Sequence, residues 1–453
     1  MRRALVPVSF VLGVCAGAAP ARADGLVIVG GSPRSIGRAG AGTVGDDGGG
    51  ALLVNPAGLA RREATRVQVG TAVVDDGVTW TPARPDAPVA RSQAGSSVLP
   101  LLAVVGAVGP WVIGGAVMTA AASARALRDP LDVPAASELG AAFEYRYAGI
   151  AGRLRRDTLT LGVARRLGEV VAVGVAVGAS RVELAETRRL WAGFAGITPV
   201  GDPRSDVQVA LAGEDGFVPS ATAGVLVAPA GTPLELALSI GWTARTEIEG
   251  ALAAVGTADG PRVDVVSPRA RLAFRQPLAV RGGVRYLGER FALEIDGDVW
   301  LPPSSARTAA WRVSGVQIID PSSLALDLEA VPSRLSQRMQ AALRGALDVE
   351  LIGGLLWGTA GYAYAVGGTT ARRLSPTLGD LGGHTIALGI EGSTGGFTYT
   401  LGWSRTLARG RTGGADGADL RLDNPFGAGD GPVPAGTYDG AVDQVGVLLD
   451  VEL

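Results

Sequence analysis

The stretch Gly40–Arg62 holds the residue types and spacings that most invite a chemical interpretation. It contains a G-x-G-x-x-G at Gly40–Gly45, the pair Asp46 and Asp47, and the tetrapeptide Asn55-Pro56-Ala57-Gly58. A dinucleotide-binding loop needs a strand before its glycines and a helix N-terminus after them. Here a run of three glycines follows the aspartates, and glycine is a poor helix former. We therefore expect no cofactor at this motif.

Metal and hydrolytic chemistry are also poorly supported. Two adjacent carboxylates fall short of the six or more oxygen ligands that Ca²⁺ takes, so we expect Asp46 and Asp47 to cap a turn or to pair with an arginine such as Arg281 or Arg285. His384 is the only histidine, which excludes a histidine metal cluster by count. A Ser-His hydrolase would have to use it, and no serine is tied to it by sequence. We expect neither a metal site nor an enzyme.

The N-terminus has the three parts of a secretory signal peptide. Arg2 and Arg3 precede an apolar segment, residues 4–19, and Ala21-Arg22-Ala23 is a small-x-small cleavage site. The prediction is a signal peptide over 1–23. The only cysteine, Cys15, lies within it, so the mature chain would have no disulfide. A retained anchor and a lipoprotein are less favoured, because the apolar segment is short and Val14 does not suit lipidation.

Charge excludes one large class of partners. All 41 basic residues are arginine, and the formal net charge is −2. A clustered basic face is the electrostatic footprint of nucleic-acid binding, and the arginines of this chain form no such cluster. We expect no nucleic-acid partner.

Alternation of apolar and small or polar residues dominates the rest of the chain. Such a period of two indicates strands with two different faces. The clearest examples on the apolar side are Phe397, Tyr399, Leu401 and Trp403 in one strand, and Leu234, Leu236, Leu238, Ile240 and Trp242 in another.

Fourteen strands are predicted in this way. Their expected ranges are 66–75, 97–108, 111–122, 155–166, 170–185, 218–228, 233–248, 262–286, 290–301, 334–347, 354–366, 383–391, 396–408 and 438–453. Long and short connections alternate between them. An outer-membrane barrel has this arrangement, with short periplasmic turns and longer external loops. A closed barrel also satisfies all backbone hydrogen bonds in lipid. The predicted fold class is an all-β, transmembrane antiparallel barrel over residues 65–453, acting as a monomer in outer-membrane lipid.

Small inward-facing side chains would leave the barrel lumen open. The glycine-rich segment 24–64 precedes the first strand and is predicted to fold back into the lumen as a plug. Proline at position 56 can fix a bend there, and the Asn55 side chain can satisfy backbone groups at that bend.

The segment "NPAGLA", Asn55–Ala60, follows an Asp-Asp pair and directly precedes a strand. It resembles the N-terminal hatch of the FadL/TodX family of outer-membrane channels. Weaker resemblance continues through three further stretches, Leu99–Ala121, Pro277–Trp300 and Leu378–Glu391. The family resemblance implies passive uptake of long-chain fatty acids or other hydrophobic compounds, with Asn55, Pro56, Ala57 and Gly58 as the hatch element.

The resemblance further implies capture at external loops and release through a hatch movement and a kink in the third strand. For capture, the candidate residues are Leu190, Trp191, Phe194 and Ile197, which have the spacing of an apolar helix stripe. For the kink, the candidates are Gly114 and Gly115, since glycine in a strand can mark an irregularity; the alternative is that they give room to the hatch. The rival functions are a porin for polar solutes and a structural or secretion-associated barrel.

Overall fold

The computed structural model describes residues 32–83, 87–92, 95–128, 144–193, 199, 201–257, 260–303, 309–319, 324–333, 335, 339–369, 371–413 and 435–453. The predicted signal peptide and residues 24–31 lie outside these ranges. None of the helices in the described part of the chain is long and apolar enough to cross a membrane.

The described residues form twenty strands in one antiparallel sheet. They are β1 (Arg66–Pro82), β2 (Ala90–Arg91), β3 (Ser97–Val108), β4 (Trp111–Ala126), β5 (Ala151–Leu167), β6 (Val171–Trp191), β7 (Asp206–Val227), β8 (Leu234–Thr243), β9 (Arg245–Gly256), β10 (Arg262–Arg275), β11 (Leu278–Leu287), β12 (Phe291–Leu301), β13 (Ala310–Ile319), β14 (Ala325–Asp327), β15 (Ala330–Pro332), β16 (Gln340–Ile352), β17 (Leu356–Val366), β18 (Gly382–Thr394), β19 (Phe397–Gly413) and β20 (Gly436–Glu452).

Fourteen of these strands close into a barrel. The order of neighbours is β1, β3, β4, β5, β6, β7, β8, β11, β12, β16, β17, β18, β19 and β20, and β20 pairs with β1. This confirms the predicted barrel and its strand number. The short connections lie at one end, together with the start of β1 and the end of β20, and we call this the periplasmic end.

The two faces of the wall agree with the alternation in the sequence. Phe397, Tyr399 and Leu401 are 46, 48 and 50% exposed, whereas Thr400 and Ser404 on the same strand are buried. The outward apolar residues cover the lipid-facing side of the wall, and the inward ones line the lumen. Outer-membrane barrels alternate in this way because lipid contacts only one face of each strand.

Two predicted strands are each interrupted in the structure. The strand expected at 233–248 ends at Thr243 and resumes as β9, and the strand expected at 262–286 divides at Gln276 and Pro277 into β10 and β11. Pro277 has no N–H to contribute to a ladder, which explains the second interruption. Beyond these breaks β9 pairs with β7 and β10, and β10 pairs with β13. These strands continue the wall above the external end.

The interior of that external extension is a hydrophobic core. Inward residues of β6, β7, β9, β10 and β13 pack together there, among them Leu184, Val209, Leu252, Leu272 and Trp311. Trp311 is fully buried, and its indole N–H donates to Glu186 Oε1 at 3.1 Å. The described residues of β6, β7, β9, β10 and β13 beyond the barrel are therefore part of a packed structure.

Residues 32–64, the N-terminal segment, precede β1. The segment contains α1 (Pro33–Ile36), α2 (Ala51–Val54) and a 3₁₀ helix (Pro56–Arg61). Ser32 caps α1, because its hydroxyl accepts from the Ser35 amide and the Ser35 hydroxyl returns a bond to the Ser32 carbonyl. Parts of the segment contact strands on every side of the barrel, from β4 and β6 to β11, β17 and β20. An element that touches the inner face all round a closed wall lies in the lumen.

Candidate functional site

The G-x-G-x-x-G turn binds carboxylates of the barrel wall. The amides of Gly42 and Thr43 donate to Asp296 Oδ2 at 2.8 and 2.9 Å. The next two amides, of Val44 and Gly45, donate to Glu294 Oε1 at 2.8 and 3.1 Å. Successive backbone N–H groups that point into one concavity form an anion-binding nest. The anions here belong to β12, which places the turn against the wall.

Arg38 supplies the compensating charge. Its guanidinium donates to Glu294 Oε2 at 2.6 Å and also to Asp348 of β16. All three side chains are buried. Burial acts to lower the pKa of Arg38, but the charges of the neighbouring Glu294 and Asp348 outweigh burial and hold that pKa above its ordinary value. A buried ion pair is costly to break because the remaining partner becomes an uncompensated charge.

Asn55 joins the two halves of the N-terminal segment. Its Oδ1 accepts from the Ala57 amide at 3.2 Å, which caps the 3₁₀ helix that begins at Pro56. Its Nδ2 donates to the Thr43 carbonyl at 2.9 Å, within the nest turn. The side chain is 1% exposed. The Asn-Pro-Ala-Gly bend is thereby tied to the carboxylate-binding turn.

Wall glycines make room for the segment. A Cβ at Gly174 of β6 would lie 2.4 Å from the Pro56 carbonyl carbon and the Ala57 amide nitrogen. At Gly224 of β7 it would meet the Asn55 side chain, and at Gly361 of β17 it would meet the backbone of Arg38. These glycines are needed for close approach of two backbones, whatever their own dihedral angles.

The two aspartates of the segment have different surroundings. Asp46 Oδ1 accepts from the Gly48 amide at 3.1 Å and so caps a turn. Asp47 pairs with Arg62 at 2.6 Å and with Arg34 at 3.5 Å. Turn capping was one of the two predicted roles. The suggested partners Arg281 and Arg285 were wrong, because arginines of the segment itself lie closer to Asp47.

The pKa shifts of the pair follow from these contacts. Burial, and then the charge of Asp47, raise the pKa of Asp46. Burial acts in the same direction on Asp47, but Arg62 and Arg34 outweigh it and lower the pKa of that carboxyl.

Two cavities lined by residues that the structure describes lie in the lumen. The lower cavity, about 140 Å³, is lined by Gly40, Thr43, Leu53 and Val54 of the N-terminal segment and by wall residues that include Gly241. The upper cavity, about 160 Å³, lies between β1, β4, β16, β20 and the connection that holds Leu378–Leu381. Trp300 and Arg344 line both cavities. The Arg344 guanidinium lies 5.7 Å from the Trp300 ring and is paired with Asp298, so these side chains stand between the two spaces.

Comparison with known proteins agrees with this architecture. The sequence model of the family described as outer membrane protein transport protein (OMPP1/FadL/TodX) matches residues 14–233. Among solved structures, a FadL homologue from Pseudomonas aeruginosa superposes with a TM-score of 0.72 at 14% identity, covering 94% of this chain and 99% of that one. By this sequence match over residues 14–233 and by its fold, the chain resembles the OMPP1/FadL/TodX family.

Two further solved structures of this family have similar folds. The toluene transporter TodX from P. putida gives a TM-score of 0.66, and the toluene transporter TbuX from Ralstonia pickettii gives 0.64. Each is 14% identical, with 94% of this chain and 99% of the other covered. No curated protein matches the sequence. Family and fold place the protein in the outer membrane.

The ladder runs without interruption through the predicted kink at Gly114 and Gly115. Gly114 pairs with Val105 and Gly162, and Gly115 pairs with Val104 and Leu161. The register of β4 shifts instead between Thr119 and Ala121. A Cβ at Gly114 would contact Leu59 and Leu52 of the N-terminal segment. Gly114 thus gives room to the segment, and the irregularity of the third wall strand is at Ala120.

The predicted capture stripe is not a helix where the structure describes it. Leu190 and Trp191 are the last residues of β6 and are 2% and 0% exposed. They lie inside the external extension, so they cannot form an exposed capture surface. Phe194 and Ile197 lie outside the described residues. The error arose because a short apolar run with mixed spacing fits both a helix and a strand.

His384 lies on the outer face of β18. Its Nδ1 is 2.7 Å from the Tyr362 hydroxyl, and its ring is 4.9 Å from that of Tyr364. Both tyrosines are about half exposed. Aromatic side chains at such positions form the interfacial belts of membrane barrels, which is a structural role for this histidine.

The wall residues that hold the segment were not predicted. The signal was present in "FALEIDGDVW", Phe291–Trp300, where Glu294, Asp296 and Asp298 alternate with apolar residues. Three carboxylates on one face of a strand need partners when that face is buried. The sequence did not show which segment supplied them, because the nest turn lies about 250 residues away in the chain.

Proposed function

We propose that this protein is a passive outer-membrane channel for small hydrophobic compounds, with the N-terminal segment as its hatch. The observation that carries the proposal is that the lower cavity lies directly on that segment and that the upper cavity shares Trp300 and Arg344 with it. Leu53 and Val54 form part of the floor of the lower cavity. A ligand that reaches this floor can go further only if the segment moves or the wall opens beside it.

The size of each cavity favours a single aromatic ring. An engineered cavity of about 150 Å³ is known to hold benzene, and the two cavities here have volumes of about 160 and 140 Å³. A long-chain fatty acid would have to extend through both and displace Trp300 or Arg344 between them. We therefore favour compounds of the class named for the toluene transporters over long-chain fatty acids, which remain the alternative.

Hatch movement is proposed to begin at the nest. Release of Glu294 and Asp296 by the turn at Gly42–Gly45 would free the floor of the lower cavity. No energy source is required, because the concentration gradient of the compound drives transport. The exit that we propose is lateral, beside Ala120. This residue lines the lower cavity, and the β3–β4 ladder stops nearby, at Leu101 and Met118.

A matched pair of tryptophan variants tests the proposal. Gly241 faces the lower cavity, whereas a Cβ at Gly282 would lie near Leu238, whose side chain is exposed on the outer face. Gly241→Trp fills the cavity, so uptake of labelled toluene by cells should fall at least about ten-fold, as expected when a ligand site is occupied by a side chain. Gly282→Trp should transport like the wild type.

The rival functions predict other results. A porin for polar solutes would show high ion conductance with the N-terminal segment in place, and it would not retain hydrophobic ligand. A secretion-associated barrel would purify with a stoichiometric protein partner. Equal uptake by both tryptophan variants would refute the channel proposal. The compounds that co-purify with the wild-type and Asn55→Ala proteins, identified by mass spectrometry, should include a hydrophobic compound.

A further inference from the structure

The upper cavity has polar groups that a pure hydrocarbon would leave without partners. We propose that it binds a neutral, single-ring aromatic compound that carries a hydroxyl group, such as a phenol. This inference rests on the proposed function and narrows its substrate class. The ring would lie against Trp300, and the hydroxyl would meet a glutamine of the wall.

Two buried glutamines carry the argument. Gln340 of β16 and Gln444 of β20 line the upper cavity and are 2% and 3% exposed. Within the described residues, neither Nε2 of Gln340 nor Oε1 of Gln444 has a hydrogen-bond partner. A buried polar group left without a partner costs about 1–3 kcal/mol. A ligand that supplies the missing bond recovers part of that cost.

A hydroxyl group suits either position. It can accept a hydrogen bond from Gln340 Nε2 and can donate one to Gln444 Oε1, because a hydroxyl is both donor and acceptor. Toluene can do neither. Selection of this kind is strong in proteins, since a site built to hydrogen-bond a hydroxyl discriminates against the analogue that lacks it.

The charges of the cavity favour a neutral ligand over a carboxylate. Its acidic side chains are Asp76 and Asp380, and its basic ones are Arg125 and Arg344. Arg125 pairs with Asp76 at 2.7 Å, and Arg344 pairs with Asp298. The Asp380 carboxylate accepts from the amides of Gly368 and Gly382. Each charge is thus already compensated, and an ionised ligand would be buried without a counter-charge.

The test compares p-cresol with toluene, which differ only by the hydroxyl group. Binding to the purified full-length barrel is measured by equilibrium dialysis, with a detergent-only chamber to correct for partition into micelles. The wild type should bind p-cresol at least about ten-fold more tightly than toluene, the factor expected from one recovered hydrogen bond. Gln340→Leu and Gln444→Leu should together abolish this preference without weakening toluene binding.

Gln317→Leu is the matched control, because Gln317 pairs with Asp327 at the external end and does not line the cavity. Barrel folding of each variant is checked by its mobility in unheated gels. Equal affinity of the wild type for both compounds, or an unchanged preference in the double variant, would overturn the phenol assignment alone. If neither compound binds, both the phenol assignment and the proposed channel function are overturned.

Discussion

The barrel interior is filled in two different ways at its two levels. Near the periplasmic end, the N-terminal segment is held by backbone amides and Arg38 against Glu294, Asp296 and Asp348. At the external end, a hydrophobic core around Trp311 packs inside the extension of the wall. The cavities lie between these two levels.

The difference indicates which of these two regions, the N-terminal segment or the external core, can move. Apolar packing is non-directional and is lost roughly in proportion to the area exposed. The polar contacts of the segment can be exchanged for water or for other carboxylates, so a small movement can release many of them together. The wall glycines allow close approach without interlocking side chains. We therefore interpret the external core as a rigid part of the extension and the N-terminal segment as the movable element.

Loss of the wall carboxylate should have the largest effect. Glu294→Ala leaves Arg38 without one of its two carboxylate partners and removes the acceptor of two segment amides. Breaking a buried ion pair costs about 3–5 kcal/mol. The segment should leave its position, and ion conductance in planar bilayers should rise. Glu247→Ala is the control, because Glu247 pairs with Arg271 on the solvent-exposed surface. A closed Glu294→Ala channel would contradict the proposed role of the nest.

Truncation of the external core should affect stability but not closure. Trp311→Ala removes a fully buried side chain, and such changes cost about 3–5 kcal/mol. Hydrogen exchange should accelerate in β9, β10 and β13, while conductance stays at the wild-type level. An increase in conductance equal to that of Glu294→Ala would show that the two levels do not differ in the way we describe.

Narrowing the wall beneath the segment should have a smaller effect. Gly174→Ala places a Cβ against the backbone at Pro56 and Ala57, and overpacking of this kind costs about 1–3 kcal/mol. Hydrogen exchange of residues 51–61 should accelerate. Gly297→Ala on β12 is the control, because its Cβ would meet no atom within 4 Å. Equal exchange in the two variants would argue against close backbone packing at Gly174.

The smallest predicted effect separates the two aspartates. Asp47 has a lowered pKa in the folded protein. Its contribution to the stability of the folded segment is therefore present above its unfolded pKa of about 3.9, and it is lost as the pH falls through the folded pKa. Asp46 has a raised pKa, so protonation does not weaken its contribution. Asp47→Asn should therefore loosen the segment at neutral pH, whereas Asp46→Asn should not. The measurement is the conductance of the two variants between pH 7 and pH 3. Identical conductance profiles for Asp46→Asn and Asp47→Asn would contradict the different roles assigned to the two aspartates.

The sequence predicted the strands of the barrel wall better than the contacts of the N-terminal segment inside the barrel. Alternation along strands such as β19 and β20 depends on local pattern, because lipid contacts one face and the lumen the other. The interruption at Pro277 was visible in the sequence but was not used. Contacts between the segment and the wall depend on register across the barrel. The glycine turn was expected not to bind a cofactor, and only the structure shows that its amides bind Glu294 and Asp296.

One measurement tests most directly whether the N-terminal segment must move. Ala39 of the segment packs against Ala363 and Ala387 of the wall, and the predicted mature chain has no cysteine. Cysteines at Ala39 and Ala363 can therefore be oxidised to a disulfide that locks the segment, and the bond can be confirmed by mass spectrometry. The account predicts that uptake of labelled toluene stops in the oxidised protein and returns on reduction, while each single variant transports normally. Undiminished uptake through the locked protein would contradict it.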